Sequence, residues 1–202
     1  MGYNNKHIAW GLTLLAFGGI LLLKRKKSTL PSVLDNMKEN YFQEYDFTNV
    51  RPLSRGYRNN NPVNIDYNPA NKWVGQTGVE PEGRFAQFID MPHGYRAAFV
   101  LLRGKGYING GRNTIEKIIS KFAPDNENYT AGYIENVSRM TGIPKDQVIS
   151  PNDRDALTAI VYAMSIVENG TKVKDANGNS VDLMQTYGLP NMDIINKGWD
   201  LI

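Results

Sequence analysis

The chain has 202 residues, three Trp, two His and no Cys, enough for one cored domain; a disulfide scaffold, thiolate chemistry and a His-rich metal site are excluded. Its formal charge of +3 conceals a split, because residues 1–27 hold Lys6, Lys24, Arg25, Lys26 and Lys27 and no acid, leaving −2 for residues 28–202. A near-neutral body counts against a nucleic-acid module, whose basic surface belongs on the domain itself.

Residues 8–23, IAWGLTLLAFGGILLL, carry no charge and are flanked by Lys6 and by KRKK. As a helix this run covers roughly 24 Å, slightly short of a bilayer core, and snorkelling Lys6 and Lys24 or local thinning supplies the difference. A cleaved signal peptide would put its charge before the apolar run and small residues after it, the reverse of what is found here. A buried domain helix would not run into four consecutive cations. The expectation is a single-pass membrane anchor over 1–27, with KRKK and the domain on the cytoplasmic side of a cell membrane.

Residues 28–53 read as a polar tether containing a short helix, SVLDNMKENYFQEY. The turn-rich segment that follows, with apolar runs VNI, KWVG and RFAQFI separated by NPAN and PEG, predicts two or three short antiparallel strands. Beyond it the period becomes helical. Asp90 caps a helix with Pro92 in its first turn, ending before Gly104, and Asn113 with Glu116 forms a capping box for TIEKIISKFA. Asn128 caps YTAGYIENVSRM, PKDQVI makes a single helical turn, and Ser150-Pro151 opens a helix running to Glu168. VKDANGNSV has hairpin chemistry, and MDIINKGWDLI closes the chain as a helix. The class is α+β, mostly helical, with one small antiparallel sheet.

One carboxylate stands out. On the helix ending at residue 168, Leu157, Val161 and Met164 lie eleven, seven and four residues before Glu168. At about 100° per residue they fall within roughly 40° of it, so Glu168 points along the apolar stripe. Partial burial and the negative end of the helix dipole both disfavour its ionised form, which suits a general acid. The plain alternative is a terminal glutamate frayed into solvent.

The stretch RGYRNNNPVNIDYNPANKWVGQ, with GRFAQFIDMPHGYRAAFVLLR and TIEKIISKFAPDNENYTAGYIENVSRMTGI, resembles a family of bacteriophage virion and lysis-associated proteins over residues 54–170. Members are described as structural proteins or as lysozyme-like peptidoglycan hydrolases. A more distant resemblance is to flagellar-type glucosaminidases. Their catalytic Glu closes a helix that precedes an Asn-Asn loop, a Trp-x-Gly, an acidic loop and an aromatic strand. NNNPVNI, WVG, VEPEG and RFAQF follow that order here, but AMSIVENG lies at the C-terminal side, as in a circular permutation.

The resemblance implies a lysozyme-like domain over 54–202 in which Glu168 is the acid and Glu80 or Glu82 is a second carboxylate across the cleft. It implies a substrate role for Tyr129 and Tyr133. Asn59, Asn60, Asn61 and Asn64 would bind N-acetyl groups, and Trp73 would stack on a sugar. The residue types leave other roles open: a solvated turn for the glutamates, Asx turns for the asparagines, core packing for the aromatics. The function expected is that of a membrane-anchored virion enzyme cleaving the β-1,4 glycan of peptidoglycan as a lysozyme, glucosaminidase or lytic transglycosylase. The rival is a non-catalytic virion structural protein of the same shape. No cofactor, metal or nucleic-acid partner is expected. The partners are glycan strands, lipid through residues 8–23 and other virion proteins, and the location is the virion membrane or the host cell membrane.

Overall fold

The computed structural model describes residues 45–48, 50–124 and 129–202. The expected anchor over residues 8–23, and residues 28–44 of the tether, lie outside them. Among the described residues no helix is long and apolar enough to cross a membrane.

Chain order is α1 (Arg55–Arg58), β1 (Gln76–Val79), β2 (Ala86–Phe88), α2 (Met91–Arg103), a 3-10 turn (Ile108–Gly110), α3 (Ile115–Phe122), α4 (Thr130–Thr141), α5 (Arg154–Asn169), β3 (Lys172–Lys174), β4 (Ser180–Asp182), α6 (Leu183–Tyr187) and α7 (Met192–Asp200). Among the described residues this is an α+β fold, mostly helical, with two separate two-stranded antiparallel sheets. The hairpin expected in VKDANGNSV is β3–β4, whose turn is closed by Asp175 Oδ1 accepting from the Asn177 and Asn179 amides at 2.9 and 2.8 Å. The β1–β2 pair pairs Gln76 with Phe88 and Val79 with Ala86, with an irregularity between Gln76 and Gly78. VNI forms no strand, the residue after it, Asp66, makes an isolated bridge to Phe85, and KWVG precedes β1 as coil and turn.

The central element is α5. It packs against α1, α2, α4 and α7 and buries Leu157, Ile160, Val161 and Met164 completely. Each such side chain contributes about 1.5–3 kcal/mol of apolar burial. The most extensive helix–helix contact among the described residues is that of α2 with α7. A Cβ on Gly198 would stand 2.6 Å from Tyr95 Cβ, so glycine permits the contact, and Phe99 meets Trp199 edge-on at 5.2 Å between centroids. Residues 45–48 and 50–53, read from sequence as tether, lie against this core: Leu53 is buried, and Tyr45, Phe47 and Val50 pack on it.

Asp90 caps α2 as expected, accepting from the His93 amide at 2.9 Å. Two other caps sit elsewhere. Thr114, not Asn113, caps α3 through its hydroxyl, while the Asn113 carbonyl accepts from the Ile149 amide at 2.8 Å. Asp153, not Ser150, caps α5, and Ser150 makes a turn by accepting from the Asn152 amide at 3.2 Å. In both places a second capping side chain stands close by. PKDQVI forms a turn rather than a helical turn. Tyr129 stands at the N-cap of α4, and Asn128 lies outside the described residues.

Candidate active site

The site is assembled around the loop from Ser54 to Ile65. Gly56 is where this loop crosses the end of α5: a Cβ there would lie 2.5 Å from Asn169 Oδ1, 2.7 Å from Asn64 Oδ1 and 2.9 Å from the Asn61 carbonyl. Asn169 locks the crossing. Its Oδ1 accepts from the Ser54 hydroxyl at 2.7 Å, and its Nδ2 donates to the Pro62 carbonyl at 2.7 Å. The asparagine run has two physical reasons. Asn60 and Asn64 sit at φ 50° and 52°, the left-handed region that asparagine tolerates better than most residues. The amides of Asn60 and Asn61 also satisfy backbone groups that the loop buries.

Asn60 and Asn61 are fully buried. Asn60 Oδ1 accepts from the Phe47 amide at 2.8 Å, and its Nδ2 donates to Asp46 and to the Phe88 carbonyl. Asn61 Nδ2 donates to the Ile65 and Ala86 carbonyls, both at 2.9 Å. These two amides brace the loop and face the interior. Asn59 does the same further along, donating to Glu80 at 2.6 Å and accepting from Gln87 at 3.1 Å.

Glu80 is almost fully buried. Arg55 grips it through two hydrogen bonds, and the Phe85 amide donates to it at 2.8 Å. Burial alone would raise its pKa, but Arg55, the Phe85 amide and Asn59 outweigh that and hold the carboxyl below its ordinary value. Glu82 is exposed and meets Arg55 Nε at 2.8 Å. Glu80 and Glu82 thus gather around one guanidinium, and neither lines the cavity that Glu168 lines.

Asn64 and Tyr133 converge on the remaining carboxylate. Asn64 Nδ2 donates to Glu168 Oε2 at 2.9 Å, and the buried Tyr133 hydroxyl donates to Glu168 Oε1 at 3.0 Å. Glu168 is half-buried at the end of α5. Burial raises its pKa above the usual carboxylate range, while Asn64, Tyr133 and the charge of Arg84 pull it part of the way back. The phenol of Tyr133 is pushed well up, by burial first and then by the neighbouring carboxylate, which keeps it a donor.

Glu168 lines a cavity of about 920 Å³ together with Asn64, Asp66, Arg84, Tyr107 and Lys121. That volume lies in the range of ligand clefts. Arg84 Nε donates to Asp66 at 3.0 Å, and its guanidinium lies 4.9 Å from the Phe85 ring centre. Neither Trp73 nor Tyr129 lines this cavity. Trp73 is half-buried against the core with Nε1 enclosed and unpartnered, and Tyr129 is 82% exposed, its ring lying over Gly132.

No family model matches the chain. Over 126 residues it is 36% identical to Protein P5 of Pseudoalteromonas phage PM2, a match covering 61% of this chain and 76% of that protein. The chain belongs to the family of that phage protein. Within this phage family member, the groups that sequence reasoning missed are Asn169, Arg55, Asp66, Arg84, Tyr107 and Lys121. Asn169 was within reach, since it follows Glu168 in the ENG motif. The others depend on contacts between distant segments.

Proposed function

We propose that this chain is a membrane-anchored phage virion enzyme that cleaves the β-1,4 glycan of peptidoglycan by general acid catalysis on a lysozyme-like, circularly permuted domain. The observation carrying this reading is Glu168, a half-buried carboxyl with a raised pKa, held by two donors at the wall of a sugar-sized cleft. Such a group retains its proton closer to neutrality than an exposed carboxyl does.

In the reaction, Glu168 gives its proton to the bridging glycosidic oxygen as the C1–O bond breaks. The leaving sugar departs with a free hydroxyl, and positive charge develops at C1 and the ring oxygen. Asn64 and Tyr133 stabilise the carboxylate left behind. Attack on C1 by the sugar's own hydroxyl then forms an internal ether, and the proton lost from that hydroxyl returns to Glu168. Engagement of Glu80 by Arg55 supports this single-acid route over delivery of water by a second glutamate.

Zymography on purified cell wall with the wild-type chain beside Glu168→Gln tests the reading. Clearing by wild type alone is expected, with a loss of about 10²–10⁴ in rate for the variant. Equal clearing by both removes Glu168 from the mechanism, and clearing by neither favours the non-catalytic virion structural role. The anchor is tested by flotation with liposomes, where a chain lacking residues 1–27 should stay at the bottom of the gradient. If it floats like the full chain, residues 8–23 are not the anchor.

A further inference from the structure

The exposed face of α3 carries a second concavity, of about 490 Å³, lined by Arg112, Glu116, Lys117, Ser120 and Lys121. Lys121 lines this concavity and the Glu168 cleft alike, so the two hollows share a wall. The loop from Tyr107 to Arg112 joins them as well, with Tyr107 in the cleft and Arg112 in the second hollow. That loop is firmly built: the Arg112 amide donates to the Tyr107 carbonyl at 2.9 Å, and the Arg112 guanidinium donates to the Gly106 carbonyl at 3.1 Å.

The charge of this hollow runs against that of the chain outside the N-terminus. Residues 28–202 sum to −2, yet Arg112, Lys117 and Lys121 line it beside a single acid, Glu116. Lys117 and Lys121 stand one helical turn apart on the solvent side of α3, whose other side buries Ile115, Ile118 and Ile119. Like charges at that spacing disfavour an isolated helix slightly, and a bound anion relieves the repulsion.

We infer that the substrate groove continues from Glu168 past Lys121 onto this cationic shelf, which binds carboxylates on the peptide stems of the wall polymer, away from the bond being cut. The inference rests on the peptidoglycan reading given above and adds to it the part of the substrate that the chain holds outside the cleft. A neutral glycan fills the cleft alone, whereas a strand bearing acidic peptides occupies cleft and shelf together. The shelf therefore selects acidic wall polymer over neutral polysaccharide, and its contribution weakens as salt screens it.

The test is co-sedimentation of the full chain in detergent with purified sacculi, in a Glu168→Gln background so that the polymer stays whole. Lys117→Glu with Ser120→Glu reverses the shelf's charge at two exposed positions, and a melting curve confirms that the variant folds. On native sacculi the variant is expected to be retained about tenfold more weakly at low salt. Amidating the sacculus carboxylates should weaken the parent to the same extent, and amidation and charge reversal together should cost no more than either alone. Stripping phosphodiester polymers with hydrofluoric acid should leave retention unchanged; a fall there would assign the shelf to phosphate instead and overturn the inference. Retention of the parent that neither charge reversal nor amidation lowers also overturns it, as does salt-sensitive DNA binding that the reversal abolishes while sacculus retention stays. Failure of the parent to sediment with native sacculi at all would instead count against the wall reading itself.

Discussion

Asn64 and Glu168 are 104 residues apart in the chain, and the amide of one donates to the carboxylate of the other at 2.9 Å. Asn64 stands at φ 52° in the loop that Gly56 and Asn169 pin to α5, so the crossing that joins loop and helix also brings Asn64 to the acid.

Chemistry and stability should therefore separate at Glu168. Its folded pKa is raised, so the stability linked to it is complete below the ordinary value of 4.5 and falls as pH rises through the folded pKa. Glutamine mimics the protonated acid and escapes that loss. Glu168→Gln is expected to melt no lower than wild type, with its advantage growing as pH rises from 4.5 through the folded pKa and level beyond it, while wall clearing disappears. Calorimetry across that range decides the point, and a variant that melts well below wild type at every pH contradicts it.

Tyr133 donates to the ionised form of Glu168 and so lowers its pKa. Tyr133→Phe removes that donor, and the acid should keep its proton to higher pH. The descending alkaline limb of the pH–rate profile is expected to move upward, at a stability cost of about 1 kcal/mol. A limb shifted to lower pH would rule out the proposed direction of the hydrogen bond's effect.

Glu80 should behave in the opposite way. Its folded pKa lies below 4.5, so the stability it contributes is present above that value and is lost as pH falls through the folded pKa. Glu80→Gln is expected to cost about 1–2 kcal/mol at neutral pH, because it replaces charge-assisted hydrogen bonds from Arg55 with neutral ones while Arg55 keeps Glu82. The variant's stability should also change less with pH below 4.5 than that of wild type. Denaturant titrations at pH 7 and pH 3.5 measure both effects, and equal losses at the two pH values would show that the carboxylate's charge is irrelevant to the fold.

Gly56→Ala introduces a methyl group within 3 Å of three oxygens. The loop must move away from α5, which should cost about 3 kcal/mol and loosen the Asn64–Glu168 contact. Thermal melting reports the first effect. A reduced rate at low temperature, where the variant remains folded, reports the second. A variant as stable as wild type would mean that the crossing is not tight.

The chain by itself determined the features that arise within one element. The phase of α5 put Glu168 on the stripe of Leu157, Val161 and Met164, and the spacing of Asp175, Asn177 and Asn179 was enough to specify a hairpin. These follow from a repeat of about 3.6 residues or from a turn's own side chains, and no distant partner enters. Only the tertiary structure decided which polar groups serve the cleft and which serve the fold. Asn60 and Asn61 turned inward because buried carbonyls and amides of other segments needed them, and Asn64, a few residues on, reached Glu168. Glu80 is bound by Arg55, 25 residues away in the chain, and does not line the cavity. A buried polar side chain goes where it finds a partner, and folding, not sequence spacing, brings that partner near.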